Sequence, residues 1–153
     1  MKISVCMFGL PKNTLFREQI EYYETLLMKK LPITRKILKE VKAGDDSARQ
    51  EQELRNLERE MLADTGVKIV LDAAGKEYST EDFADFMKKS IQNGRDVTFY
   101  IGNFYGLDER IRSKADGLLS LSKMTFTHEC AAMLLYEQLY RVQTILFGGK
   151  YHK

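Results

Sequence analysis

Tryptophan is absent from this chain, and cysteine, proline and histidine occur only twice each. Two cysteines, Cys6 and Cys130, cannot build a disulfide framework. Two histidines, His128 and His152, with no CxxC or HExxH pattern, leave no metal site to expect. The apolar runs are short. The one over residues 131–136 falls far below the roughly 20 residues of a membrane span. The first nine residues carry one positive charge and a brief apolar stretch, which reads as a buried strand and not as a leader. A cytoplasmic protein is expected. Charge of one sign is also lacking: Lys plus Arg is 24, Asp plus Glu is 22, and the net charge is +2. The residues up to Thr65 and those after it each carry 12 basic and 11 acidic side chains, so there is no basic arm or acidic tail. Composition therefore announces no nucleic-acid partner.

What is present suits one folded domain over residues 1–153. Hydrophobic residues are 44% and charged residues 30%, too apolar for a disordered chain. Strand-like and helix-like segments alternate. Residues 3–8 form a β-rich run closed by Gly9 and Pro11. Phe16, Ile20, Tyr23 and Leu27 mark one face of a helix over about 14–30, with Asn13 as its cap and Pro32 beyond its end. Residues 33–41 read as a strand with one solvated face. Leu54, Leu57 and Met61 mark a second helix. Residues 67–71 are a short buried strand followed by a loop. Ser79 with Asp82, or Thr80 as the cap, opens a helix carrying Phe83, Phe86 and Met87. Asn93-Gly94 closes it. Residues 97–101 are another strand, and a helix from about Leu107 carries Ile111 and Leu118. A short strand or edge over 119–122 precedes a long helix over about 128–146. Such alternation implies an α/β fold with a mostly parallel sheet flanked by helices. Ligands bind such sheets at the carboxyl ends of the strands, which nominates the loops after Leu71, Ile101 and Leu121.

The motifs are sparse. Gly102 and Gly106 frame a strand-to-helix loop where glycine permits positive φ or close approach of a ligand, though the pattern is neither a P-loop nor GxGxxG. His128 and Cys130 are too close in sequence to share a helix face, so His128 reads as a capping or interface residue. Tyr151, His152 and Lys153 read by composition as an exposed tail, yet together they could stack on a base, move a proton and grip phosphate. Leu135, Leu139, Val142 and Ile145 form a stripe on the long helix, a core face or a dimer interface. Glu137 and Arg141 are a favourable i, i+4 pair.

Four ordered segments carry a resemblance. They are Leu71-Asp72-x-x-Gly75-Lys76, Ser79-x-Glu81-x-Phe83-Ala84 and Ile101-Gly102-x-x-x-Gly106-Leu107. The fourth is the C-terminal set: Leu119 to His128, Glu137-Gln138-Leu139-Tyr140-Arg141, and Gly149-Lys150-Tyr151-His152-Lys153. Together they resemble the large-subunit ribosomal RNA methyltransferase H family, small members of the SPOUT superfamily with a C-terminal trefoil knot. The resemblance implies S-adenosylmethionine-dependent methylation of N3 of a pseudouridine in 23S rRNA, on the assembled ribosome, by a homodimer in which one subunit's cofactor faces the other's tail. It implies cofactor contacts at Leu71, Gly102, Leu121, Ser122, Lys123, Met124, Thr125 and Phe126. It implies catalytic roles for His152 and Tyr151, and RNA contacts at Arg141, Lys153 and His128. No metal and no membrane are implied. The competing reading is a non-catalytic RNA- or ribosome-binding protein that kept the knotted fold.

The chain departs from the family pattern at three places. Asn103 stands where a second glycine is usual, and is expected to take a left-handed backbone with its side chain near the cofactor. Thr127 replaces a proline. Ala132 replaces an arginine, removing an RNA- or cofactor-side contact.

Overall fold

A computed structural model describes residues 1–152; the expected RNA contact Lys153 lies outside the described residues. In chain order the elements are β1 (Ile3–Phe8), α1 (Thr14–Leu27), β2 (Ile33–Leu38), α2 (Asp46–Ala63), β3 (Val67–Glu77), α3 (Thr80–Gln92), β4 (Val97–Tyr100), α4 (Glu109–Arg112), β5 (Gly117–Ser120) and α5 (His128–Phe147). The strands form one five-stranded sheet in the order β2-β1-β4-β3-β5. Every pairing is parallel, so each connection must cross over a face.

The alternation of side chains along β1 shows how the two faces are divided. Ile3, Val5 and Met7 join a core with α1, α3 and α5, through Ile20, Leu27, Met87, Leu135 and Leu139. Cys6 and Phe8 point to the other face, where Leu54, Leu57 and Met61 of α2 and Ile111 of α4 cover them. Burial pushes the Cys6 thiol up to about 12. Thiol alkylation at pH 8 should therefore mark half-buried Cys130 in the native protein and spare Cys6 until unfolding, as read by peptide mass spectrometry. Equal labelling of both would mean that β1 opens in the native state.

Two helix starts match their sequence signals: Asn13 and Ser79 are N-caps whose side chains accept from the Leu15 and Asp82 N–H groups. At α5 the cap is Thr127, which accepts from the Cys130 N–H, and not His128, which is the first helical residue. Thr127 thus does for α5 what a proline cannot do by hydrogen bonding. Other expectations need correction. The helix after Leu107 is only one turn, and Leu118 belongs to β5, where it pairs with Val70. β3 runs on to Glu77 through an irregularity between Leu71 and Lys76, because residues 76 and 77 rejoin β5. The stripe on α5 faces inward: Leu135, Leu139 and Val142 are fully buried, and only Ile145 is exposed. It is core and cannot serve as a dimer interface. Ala132 is also fully buried, so that position points into the core and away from solvent. No helix among the described residues is long and apolar enough to cross a membrane.

Candidate active site

The loops leaving β3, β4 and β5 converge at the carboxyl edge of the sheet around a cavity of about 260 Å³. Leu71 lies where the irregularity in β3 begins and Leu119 lies near the end of β5, and with Leu121 they make an apolar floor. Ser122, Met124, Thr125 and Phe126 form one wall. That wall is folded on itself: Ser120 Oγ donates to the Ser122 carbonyl at 2.9 Å, and Met124 N–H donates to Ser122 Oγ at 3.0 Å. Met124 and Phe126 remain exposed, which leaves apolar side chains free to cover a ligand. His128 and Ala131, at the start of α5, close the cavity on another side. The free N–H groups of a helix start favour a negatively charged or carbonyl group there. Lys123 is not part of the cavity wall.

Gly102 and Gly106 both line the cavity, for different reasons. A Cβ on Gly102 would lie 2.7 Å from Leu107 Cδ2 and 2.9 Å from its Cγ, so a side chain there would have to displace Leu107. Gly106 has φ +76° with open space around it, so backbone conformation is its reason. Asn103 does not take the left-handed backbone: among the described residues positive φ occurs only at glycines. Its amide instead reaches α2, donating from Nδ2 to Glu53 Oε2 at 2.9 Å.

Two wall residues escaped the sequence reading. Asp72 and Arg112 both line the cavity, and Arg112 Nε donates to Asp72 Oδ2 at 2.8 Å. The Asp72 side chain is only 8% exposed, and its other oxygen accepts from Ala74 N–H at 2.8 Å. Asp72 stood in the Leu71-Asp72-x-x-Gly75-Lys76 segment without a role assigned to it; nothing in the sequence ties it to Arg112, forty residues away. Apolar floor, backbone groups and one carboxylate–guanidinium pair suit a ligand that is part apolar and part charged.

The remaining site residues gather elsewhere along α5. The Arg141 guanidinium lies 4.8 Å from the centre of the Tyr151 ring, a cation–π distance. Glu137 ties the group together, accepting from Arg141 Nε at 2.6 Å and Tyr151 hydroxyl at 3.0 Å. The Tyr151 hydroxyl also pairs with the Tyr23 hydroxyl at 3.3 Å. These hydrogen bonds, with some burial between them in weight, raise the Tyr151 phenol well above its ordinary range. His152 Nε2 sits 2.9 Å from Glu81 Oε1 in the first turn of α3, and its Nδ1 is buried without a partner. The tail is therefore docked, unlike the exposed tail that composition suggests. Arg141, Tyr151 and His152 come together, but none of them lines the cavity of the same chain. Glu137 is nine residues from His128, about 13 Å along the helix axis. Among the described residues no group of His, Cys, Asp and Glu could hold a metal ion.

Comparison with known proteins adds to this geometry. The family described as "Predicted SPOUT methyltransferase" matches residues 1–152. A protein of Thermotoga sp. (strain RQ2) named ribosomal RNA large subunit methyltransferase H is 35% identical over 152 residues, covering 99% of each chain. The protein of the same name from Coprothermobacter proteolyticus is 37% identical over 154 residues, covering both chains completely. Among solved structures, a putative methylase family protein of Neisseria gonorrhoeae aligns with a TM-score of 0.52 at 15% identity. It covers 92% of this chain and 81% of that one, a likeness of fold alone.

Proposed function

Because the chain belongs to the SPOUT methyltransferase family, we propose that it transfers a methyl group from S-adenosylmethionine to N3 of a pseudouridine in 23S rRNA on the assembled ribosome. The observation that carries this reading is the convergence of three strand-end loops and the α5 start on one cavity, in a chain similar along its whole length to proteins named ribosomal RNA large subunit methyltransferase H. The residues fit the donor. The floor of Leu71, Leu119 and Leu121 suits an adenine ring, with Phe126 and Met124 beside it. Gly102 and Gly106 leave backbone groups within reach. When bound, the donor supplies a methyl already activated on a sulfonium. The protein's own task is then alignment and proton removal.

N3 of pseudouridine carries an imide proton that must leave for the ring nitrogen to attack. His152 is the side chain in this reading that takes it. When Nε2 donates to Glu81, Nδ1 carries the free lone pair; it is buried on its own chain, so in this reading the imidazole turns out toward the RNA to take the proton. Tyr151, kept protonated by its partners, orients or stacks on the base, and Arg141 grips phosphate. His128 at the cavity wall is an RNA contact near the donor. The tail group does not line its own cavity, which supports a homodimer whose tails serve the partner's cavity. The reading includes a single cytoplasmic domain over residues 1–153. It also includes a C-terminal knot, favoured by a β4-to-β5 crossing over β3 followed by return of α5 to the opposite face.

The test has two arms. Calorimetry should show S-adenosylmethionine binding with no binding of ATP or NAD. Ribosomes from cells lacking the modification should then incorporate labelled methyl groups, mapped by mass spectrometry to one pseudouridine of the large-subunit RNA. Donor binding without transfer to any RNA would leave a non-catalytic protein and overturn the proposal.

A further inference from the structure

Behind the cavity wall lies a carboxylate that the proposed chemistry does not use. Glu53, in the middle of α2, is only 4% exposed. Carboxylates are almost never this buried without partners, since the desolvation cost is large. Its two oxygens are matched to two donors. Oε1 accepts from Val41 N–H at 3.0 Å, and Oε2 accepts from Asn103 Nδ2 at 2.9 Å. The ionised carboxylate only accepts, so it determines which way the Asn103 amide faces. Asn103 lines both the large cavity and a small cleft against α2. Gly106 and Leu107 line both as well, and Leu107 packs on the α2 core, but Asn103 is the one of the three that α2 holds by a side-chain hydrogen bond.

Neighbouring turns of α2 hold the same loop. Gln50 Nε2 donates to the Tyr105 carbonyl at 3.2 Å, and Asp46 accepts from the Tyr105 hydroxyl at 3.2 Å. Arg110 makes a two-pronged contact with Glu51 at 3.0 and 2.9 Å. Hydrogen bonds from Arg110 and then Arg55 hold the Glu51 carboxyl down at about 2. Glu51 is itself open to solvent, whereas Glu53 is buried, so the Glu53 carboxylate depends on its two donors and has no water to replace them.

We infer that Glu53 is a positioning residue for the donor cavity. Through Asn103 it sets the wall that follows β4, and through Val41 it ties that wall to the segment after β2. The inference rests on reading the cavity as the S-adenosylmethionine site. It explains how this chain uses a side chain at position 103: the amide is turned away from the ligand and anchored.

The experiment is a double-mutant cycle on S-adenosylmethionine affinity, measured by calorimetry on the full chain. Glu53→Ala and Asn103→Ala should each weaken binding about tenfold, the size of one charge-assisted hydrogen bond. The double variant should lose little more than either single one, because both remove the same link. Glu53→Gln should recover most of the affinity, since a flipped Asn103 amide can accept from Gln Nε2 while Gln Oε1 accepts from Val41. On ribosomes, the variants should raise KM for the donor and leave kcat at saturation near the parent value, a split that general destabilisation would not produce. If Glu53→Ala fails to fold, Asn103→Ala with Glu53→Gln still decides the matter, because Asn103 is only half-buried. Parent-like affinity in Asn103→Ala, or additive losses in the cycle, would overturn the inference. Failure of the parent chain to bind the donor would instead remove the cofactor reading, and this inference with it.

Discussion

Replacing His152 with alanine is expected to cut methyl transfer to ribosomes by roughly 10²–10⁴-fold, the usual contribution of a general base, while leaving donor affinity unchanged. The separation follows from the geometry. His152 contacts Glu81 on α3 and lies outside the cavity wall of its own chain, and in the dimer its assigned partner is the base and not the donor, so its loss should leave donor binding intact. Glu81 itself is ionised over the working pH range. Its carboxyl lies below the ordinary glutamate range, held there by its own N–H and then by His152. A depressed acid keeps its charge above its unfolded pKa and loses it only as pH falls through the folded one. Glu81 therefore remains a carboxylate partner for Nε2 at neutral pH. Single-turnover assays over a pH series would measure the effect. Full turnover by His152→Ala would remove the imidazole from the chemistry and leave the proton to water or to RNA.

The largest effect on the fold is expected at Gly75. A Cβ built there would lie 2.6 Å from the carbonyl carbon of Leu118, 2.7 Å from its oxygen and 2.9 Å from the Leu119 nitrogen. All three atoms are backbone, so no side chain can turn aside. Gly75 lies in the irregular stretch where β3 leaves β5 after Leu71 and rejoins it at Lys76. Gly75→Ala must push the two strands apart, and both lead into cavity loops. A loss of about 3 kcal/mol is expected, in the range of backbone clashes and overpacking. For a chain of this size that lowers Tm by roughly 10 °C. Gly94→Ala is the contrast: its φ is +64° but nothing lies within 4 Å of the added carbon, so only the left-handed strain of about 1–2 kcal/mol applies. Calorimetric unfolding of both variants tests this. A Gly75→Ala melt within a degree or two of the parent would falsify the close approach.

Much of the architecture was legible from local signals. The caps at Asn13 and Ser79 act within three residues, and strand-helix alternation implies parallel crossovers whatever the later packing. Position at strand ends nominated the loops at Leu71, Gly102 and Leu121, and the structure places all three around one cavity. What failed to read were features decided by partners distant in sequence. The α5 stripe is apolar by its period, but a period does not say what covers it; α1 and α3 do. Gly102 looked like a ligand-facing glycine, and it does line the cavity, but a Cβ there would also press on the Leu107 side chain. Asn103 looked like a substitute for glycine, and its meaning depends on Glu53, fifty residues earlier. The tail looked frayed because composition cannot see that Tyr23, Glu81 and Glu137 meet it. The sequence by itself determined the α/β class, the family and the loops that make the cavity, because propensity, capping and motif order act along the chain. Only the tertiary structure decided which side of α5 is core, how the tail docks and what holds the cavity wall, because those answers come from burial and hydrogen bonding between segments that the chain order keeps apart.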